Sequence, residues 1–453
     1  MNTIYVIRSE RVVTPEGVRP ATVHIRNGTI TAVGAYDDSR GGAHVYDARK
    51  SVVMPGLVDT HVHINEPGRT DWEGFETATR AAAAGGVTTL VDMPLNSIPA
   101  TTTVAALETK REAARQKCWV NVGFWGGVVP GNAGELRAMH RAGVFGFKCF
   151  LVPSGVAEFE NVRETDLRAA MPILAEMDLP LLVHAELPGP IERASKRLAK
   201  ADPTSYASWL GSRPAAAETQ AIELMIALAS EFGAHVHIVH VSSELSVPLI
   251  VRAKKAGIRV TAETCPHYLA FTARGIRPGA TEYKCAPPIR DSHNQEGLWR
   301  ALKTKAIETV VSDHSPSPPA MKSKPTGDFS KAWGGISSLQ LGLPVLWTKM
   351  SGKNYSFEHL LRWMCGGPAR LAGLEKNKGA LAAGFDADIA VWNPEKRFIV
   401  RPKMLHHRHK VTPYMGHTLQ GEVEATFLRG EMIYDRGRFL GTPLGRLLRR
   451  SER

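Results

Sequence analysis

The sequence contains no run of about 18 apolar residues, the length a helix needs to span a bilayer, so no membrane span is predicted. It also lacks a leader pattern. Met1 to Pro15 carries Arg8, Glu10 and Arg11 before any useful apolar run forms, and no export signal is read there. Cysteine is scarce: Cys118, Cys149, Cys265, Cys285 and Cys365 are odd in number, widely spaced and without a C-x-x-C pair. That pattern argues against a disulfide framework and against a thiolate zinc site, and makes a reducing cytoplasm the expected location. Like charge is not blocked together either. The net charge of +12 is spread along the chain and thickens only at Arg446, Arg449, Arg450 and Arg453, which read as a solvated, frayed tail. No nucleic-acid partner and no membrane partner is expected from it.

What is present is a globular composition, 43% hydrophobic and 22% charged, sufficient for a sizeable core. The 453 residues exceed one ordinary core and accommodate a large domain plus a smaller one. Short alternating runs near the start (Ile4 to Ile7, Thr22 to Ile25) are broken by turn signals such as Asn27-Gly28, and the same texture returns in Ala387 to Trp392 and Ala425 to Gly430. Two β segments flanking a long middle pair only if the chain ends meet. The predicted domains are therefore 1–54 and 376–453, together a small β-sandwich, around a larger unit at 55–375.

That middle alternates short apolar runs with longer Ala- and Leu-rich helical stretches, the rhythm of parallel β/α units. Eight strands are predicted near 56–61, 87–92, 119–124, 144–150, 180–184, 236–240, 258–263 and 307–311, with the clearest helices at 103–114 and 217–230. Eight such units predict an α/β fold of the (β/α)8 TIM-barrel kind, with its active site at the strands' C-terminal ends.

Ligand-type residues stand at those ends. In Asp59-Thr60-His61-Val62-His63 the strand period of two turns both imidazoles to one face, where they either hold a divalent metal or satisfy each other as polar groups. Lys148, His184 and His240 end three further strands, and Asp313 follows the last. A lysine is the odd member, since an ammonium repels a cation. It is either a buried lysine paired with a carboxylate or an amine that has added carbon dioxide to become a carbamate.

With those residues in view, the sequence resembles the cyclic amidohydrolases, the group containing dihydroorotases, hydantoinases and allantoinases. The matching stretches are Met54 to His63, Gly146-Phe147-Lys148-Cys149-Phe150, His240-Val241-Ser242-Ser243 and Glu263-Thr264-Cys265-Pro266-His267-Tyr268-Leu269, and the likeness runs essentially end to end. It implies two divalent metal ions held by His61, His63, N6-carboxylated Lys148, His184, His240 and Asp313. Zinc leads for such an N/O set, which also accepts cobalt, manganese or iron. It further implies a bridging hydroxide as nucleophile, Asp313 as proton carrier, and a homotetramer.

Within the group, dihydroorotases place an arginine after the paired histidines where this chain has Asn65, and hydantoinases place a tyrosine after the bridging lysine that has no counterpart here. Val62 to Arg69, Asp92 to Asn96, Ala286 to Asp291, Asp313 to Pro316 and Lys331 to Ile336 are similar to allantoinases, which implies opening of the hydantoin ring of allantoin to allantoate. A hydantoinase or dihydropyrimidinase acting on a related ring is the alternative; a non-catalytic scaffold relative is disfavoured because no ligand position is lost.

For the small-molecule substrate the candidates are Asn96, Ser315 and the backbone at Cys285 and Gly334, each of which also has a local turn or packing reading; Gly334-Gly335 could serve only a tight turn. His267 reads as structural. His235 and His237 have opposite parity to His240 and are expected to face the helices. His406, His407 and His409 read as a solvated surface segment.

Overall fold

The computed structural model describes residues 4–38 and 44–450; Met1 and Arg453 lie outside them. The protein has an α/β fold built on parallel strands. Eight central strands are labelled β1 (Leu57–Val62), β2 (Val87–Asp92), β3 (Asn121–Phe124), β4 (Phe147–Phe150), β5 (Pro180–His184), β6 (His235–Ile238), β7 (Val260–Thr264) and β8 (Thr309–Val310). They run parallel in two groups, β1-β2-β3 and β8-β7-β6-β5-β4, the latter extended by Gly126–Gly127. Backbone bonds also cross between the groups: Phe145 N donates to Phe124 O at 3.0 Å, and His63 N donates to His314 O at 2.8 Å beside a parallel Val62–His314 bridge. Strand interiors such as Val87–Asp92 are wholly buried, which explains near-continuous apolar runs in place of alternation.

Several strands are shorter than their sequence pattern. β4 begins only at Phe147 because Gly146 has φ +154, and a Cβ there would stand 2.7 Å from Pro180 O. β3 begins at Asn121, since Trp119 N donates to Thr79 Oγ1 instead of a ladder partner. Helices fill the connections as the periodicity indicated, at Val104–Ala114 with Thr103 accepting from Ala106 N, and at Ala215–Phe232, closed by left-handed Gly233.

Both chain ends build one nine-stranded sheet. Its order is Arg438–Phe439, Glu431–Asp435, Thr418–Leu428, Ile389–Ile399, Val52–Pro55, Ile4–Thr14, Gly17–Arg26 and Thr29–Gly34, with His44–Asp47 paired to Ile4–Thr14. The Asn27-Gly28 turn has positive φ at both residues, as a tight hairpin of right-handed twist requires. Val52–Pro55 pairs antiparallel with Ile389–Ile399 and passes through Gly56 straight into β1, so the sheet fixes where the histidine-bearing strand starts. As far as Arg450 the basic tail is not frayed: Val122 N donates to Arg446 O, Leu448 N to Val122 O, and Arg450 Nη1 to Phe145 O. Backbone groups of β3 left without a neighbour account for that docking. No helix among the described residues is long and apolar enough to cross a membrane.

One buried ion pair secures the end of β1. Asp92 Oδ1 accepts from Ile64 N at 2.8 Å while Oδ2 accepts from Lys110 Nζ at 2.7 Å, both side chains being fully buried. Lys110→Met strands the carboxylate in an apolar interior and should cost about 3–5 kcal/mol, read by calorimetry as a lowered unfolding midpoint. An unchanged midpoint would show that the pair does not hold this region.

Candidate active site

β1 delivers His61 and His63 to one side of a cavity of about 350 Å³ that His184, His240 and Asp313 also line. His61 is held at both ring nitrogens. Its Nδ1–H donates to Glu263 Oε1 at 2.5 Å, and its Nε2 lies 3.1 Å from Asp313 Oδ1. His63 Nε2 is 3.7 Å from the same oxygen. Ligand atoms of His61, His63 and Asp313 all fall within 4.8 Å of one another, an arrangement that could hold a cation. Asp59 ties this corner together, accepting from His61 N and from Ser312 N at 3.1 Å each. Burial pushes its carboxyl up to about 6.

His184, at the end of β5, gives its Nε2–H to Glu186 Oε2 at 2.8 Å, which leaves Nδ1 as the lone-pair nitrogen. Phe150 stacks on it at 4.7 Å and 14°. His240 follows β6 with φ +40, and its ring centroid lies 4.7 Å from that of His184 and 5.4 Å from that of His61. Burial holds His184 down to about 4, and burial with neighbouring positive groups holds His63 and His240 well below the usual imidazole range. These rings are therefore neutral at pH 7, with lone pairs available to a metal.

Lys148 is fully buried, and its Nζ has no hydrogen-bond partner among the described residues. It sits 4.9 Å over the Phe150 ring. The carboxylate-paired lysine allowed by the sequence is not what the structure contains. Burial lowers the amine to about 8, with Glu263 and Asp313 among the charges opposing the shift. Asp313, at φ +44, is raised by burial, against the pull of His61 and Lys148. The donor set fits divalent metals: neutral imidazoles and a carboxylate line one cavity, and the orphaned amine of Lys148 lies behind Phe150, another of its lining residues.

All four proposed substrate contacts, Asn96, Cys285, Ser315 and Gly334, line the same cavity. The Cys285 carbonyl already accepts from Trp209 Nε1 at 3.1 Å. Gly335 is sterically required, since its φ is +124 and a Cβ would meet Ser315 O at 2.2 Å; at Gly334 a Cβ meets nothing within 4 Å. Only Gly335 is thus explained by the turn.

The parity assigned to His235 and His237 is overturned. Both rings bond Thr261 Oγ1 at 2.8 Å, and His237 Nε2 continues to Glu263 Oε2 at 3.0 Å, on the side of the cluster. β6 ends at Ile238, so strand alternation does not extend to His240. The solvated reading of the histidine run fails for two of its three members: His407 is buried with its ring 5.7 Å from His314, and His406 packs at 4.9 Å on Phe439, while His409 stays at the surface against Asp71 O. His267 is fully buried with neither ring nitrogen hydrogen-bonded to a described residue, and groups with Cys265 and Asp313 within 4.8 Å.

Four acidic or basic partners were not singled out from sequence. Glu186 carried a signal, standing two residues after His184 at a strand end, and Glu263 ends the strand predicted at 258–263 as the other candidates end theirs. Glu73 and Arg213 had none. Glu73 Oε2 lies 3.3 Å from His314 Nε2, whose Nδ1 accepts from Ser338 N at 3.1 Å, so Nε2 is the protonated nitrogen. Arg213 pairs with Glu186.

Comparison with known proteins adds to this geometry. The chain is 52% identical to an allantoinase of Streptomyces avermitilis, covering 98% of each. It is 44% identical to an allantoinase of Arabidopsis thaliana, covering 98% of this chain and 90% of the plant protein. Among solved structures, an L-hydantoinase (dihydropyrimidinase) from Arthrobacter aurescens matches with a TM-score of 0.94 at 32% identity, over 99% of this chain and 100% of that one. A dihydropyrimidinase from Brevibacillus agri matches at 0.91 and 28%, over 99% of each. Residues 52–433 match the amidohydrolase family throughout, and the chain belongs to that family of enzymes.

Proposed function

We propose that this enzyme opens the hydantoin ring of allantoin by hydrolysis, giving allantoate. The observation that carries the reading is Lys148, a fully buried amine with no hydrogen-bond partner among the described residues, whose charge bears on His63, His184, His240 and Asp313. The names of the full-length curated relatives select allantoin over the rings of hydantoinases and dihydropyrimidinases, the alternative reading.

His61, His63, Lys148 as its N6-carbamate, His184, His240 and Asp313 would hold two divalent ions, zinc foremost. When bound, such ions polarise a carbonyl and lower the pKa of water. The chain's own residues do the rest. Glu263 and Glu186 fix the tautomers of His61 and His184. Asp313 takes one proton from the attacking water and returns it to the ring nitrogen as the C–N bond breaks; the carbonyl carbon keeps the water's oxygen as a carboxylic acid, whose remaining proton passes to solvent to leave carboxylate. Asn96, Ser315 and the backbone at Cys285 and Gly334 bind the ring. We further infer that the parallel groups close into a (β/α)8 barrel over 55–375, a reading supported by the Val62–His314 bridge, with 1–54 and 376–453 as a flanking β-sandwich. The assembly is inferred to be a cytoplasmic homotetramer.

The purified protein should open allantoin in preference to hydantoin, dihydrouracil and dihydroorotate, lose activity on chelation and regain it with added metal. The reading fails if allantoin is the poorest of the four. Asp313→Asn should lower kcat by about 10²–10⁴, with ring-opening assays as the measure; activity near wild type would remove Asp313 from proton transfer. Only the neutral amine adds carbon dioxide, and burial moves the Lys148 titration down to about 8. Bicarbonate-dependent reactivation of metal-free enzyme should therefore climb as pH rises through this region, well below where ordinary lysines deprotonate. Lys148→Ala should show no bicarbonate response and reduced metal content, measured by elemental analysis.

A further inference from the structure

The cavity has a basic side. Its lining includes Arg213, Lys284 and Lys331, against Asp313 as the single carboxylate among the described lining residues. Two of these cations share one aromatic ring: the Arg213 guanidinium carbon lies 5.1 Å from the Trp209 ring centroid, and Lys284 Nζ lies 4.3 Å from it. Trp209 stands on the helix Tyr206–Ser212, and Arg213 is the residue that ends that helix. The indole is pinned by its N–H bond to the Cys285 carbonyl.

The basic groups differ in what remains free. Lys284 directs its ammonium to Ala332 O at 2.6 Å and Ser330 O at 3.4 Å, holding the 330–332 loop. Lys331 is largely exposed and lies 3.7 Å from Asp328. Arg213 donates through Nη1 to Glu186, while its Nη2 and Nε make no hydrogen bond to another described residue. A guanidinium braced over an aromatic ring, with unspent donors at a cavity wall, suits a planar carbonyl acceptor.

We propose that Arg213 donates to the carbonyl oxygen of the ureido arm of the substrate, making it the specificity-determining residue for ureido-substituted hydantoins. This rests on the allantoin reading above. The arm is planar and presents one strong acceptor; an unsubstituted hydantoin ring has no group in that position. Arg213 thus separates two rings that offer the same scissile bond. The competing account is structural, because Glu186 connects Arg213 to His184. A disturbance passed along that route would weaken every substrate alike.

The test compares metal-loaded wild type with Arg213→Lys and Arg213→Met on allantoin and on unsubstituted hydantoin, the latter as substrate or as competitive inhibitor, with bound metal measured in each preparation. Lysine retains the charge facing Glu186, which keeps the test available if the methionine variant does not fold. The expected result is a loss of about 10- to 100-fold in kcat/KM for allantoin, carried mainly by KM. In Arg213→Lys, which keeps a cation beside Glu186, the hydantoin constant and the metal content should change less than about twofold. Equal losses for both rings, or allantoin kinetics that do not change, overturn the role of Arg213. Wild-type protein that does not open allantoin overturns instead the reading on which the role rests.

Discussion

A single carboxylate, Glu263, governs the geometry around it. It is fully buried and divided between two imidazoles, with Oε1 facing His61 and Oε2 facing His237. Removing a carboxylate from water is costly, and burial opposes its ionisation; His61 and His237 nevertheless hold it well below the usual carboxylate range. The consequence is chemical. His61 must spend Nδ1–H on Glu263, so the lone pair belongs to Nε2, the nitrogen next to Asp313. Glu186 does the same for His184 from the other side of the site, where it also pairs with Arg213. Among the described residues His63 and His240 have no such brace, and their Nδ1 atoms are buried without hydrogen-bond partners.

The backbone works toward the same end. Asn65, Asn96, His240 and Asp313 all adopt positive φ, at 66°, 67°, 40° and 44°. Such values are unfavourable for residues other than glycine and persist where surrounding contacts over-determine them. Each lies just beyond a central strand, where the chain leaves the ladder and regular side-chain alternation stops. Hydrogen bonds from His63 N to His314 O and from Ser312 N to Asp59 hold the departing segments in register with β1.

This explains which parts of the molecule were legible in the sequence. Strand positions emerged because buried parallel strands leave contiguous apolar runs, and the candidate ligands emerged because they cluster where those runs stop. The failures occur where local pattern ceases to control direction. Parity misplaced His237 because it was compared with His240 across the end of a strand. The tail arginines and His407 looked solvated because nothing in their immediate neighbours announces that β3 takes partners from the far end of the chain, or that Arg408 N donates to Glu73 and carries His407 inward with it. Arg213 was invisible for a similar reason: its meaning depends on Trp209, Glu186 and Lys284, which converge only after folding.

The seam between Val52–Pro55 and Ile389–Ile399 joins residues far apart in the chain; Trp392 Nε1 reaches Met54 Sδ across 338 positions. Loop closure over such a span is entropically slow, and native pairings of this kind form late. The root of the strand bearing His61 and His63 therefore acquires its neighbour only after nearly all of the polypeptide has emerged. Assembly of the candidate metal-binding corner is in this way timed to the arrival of the chain's last strands.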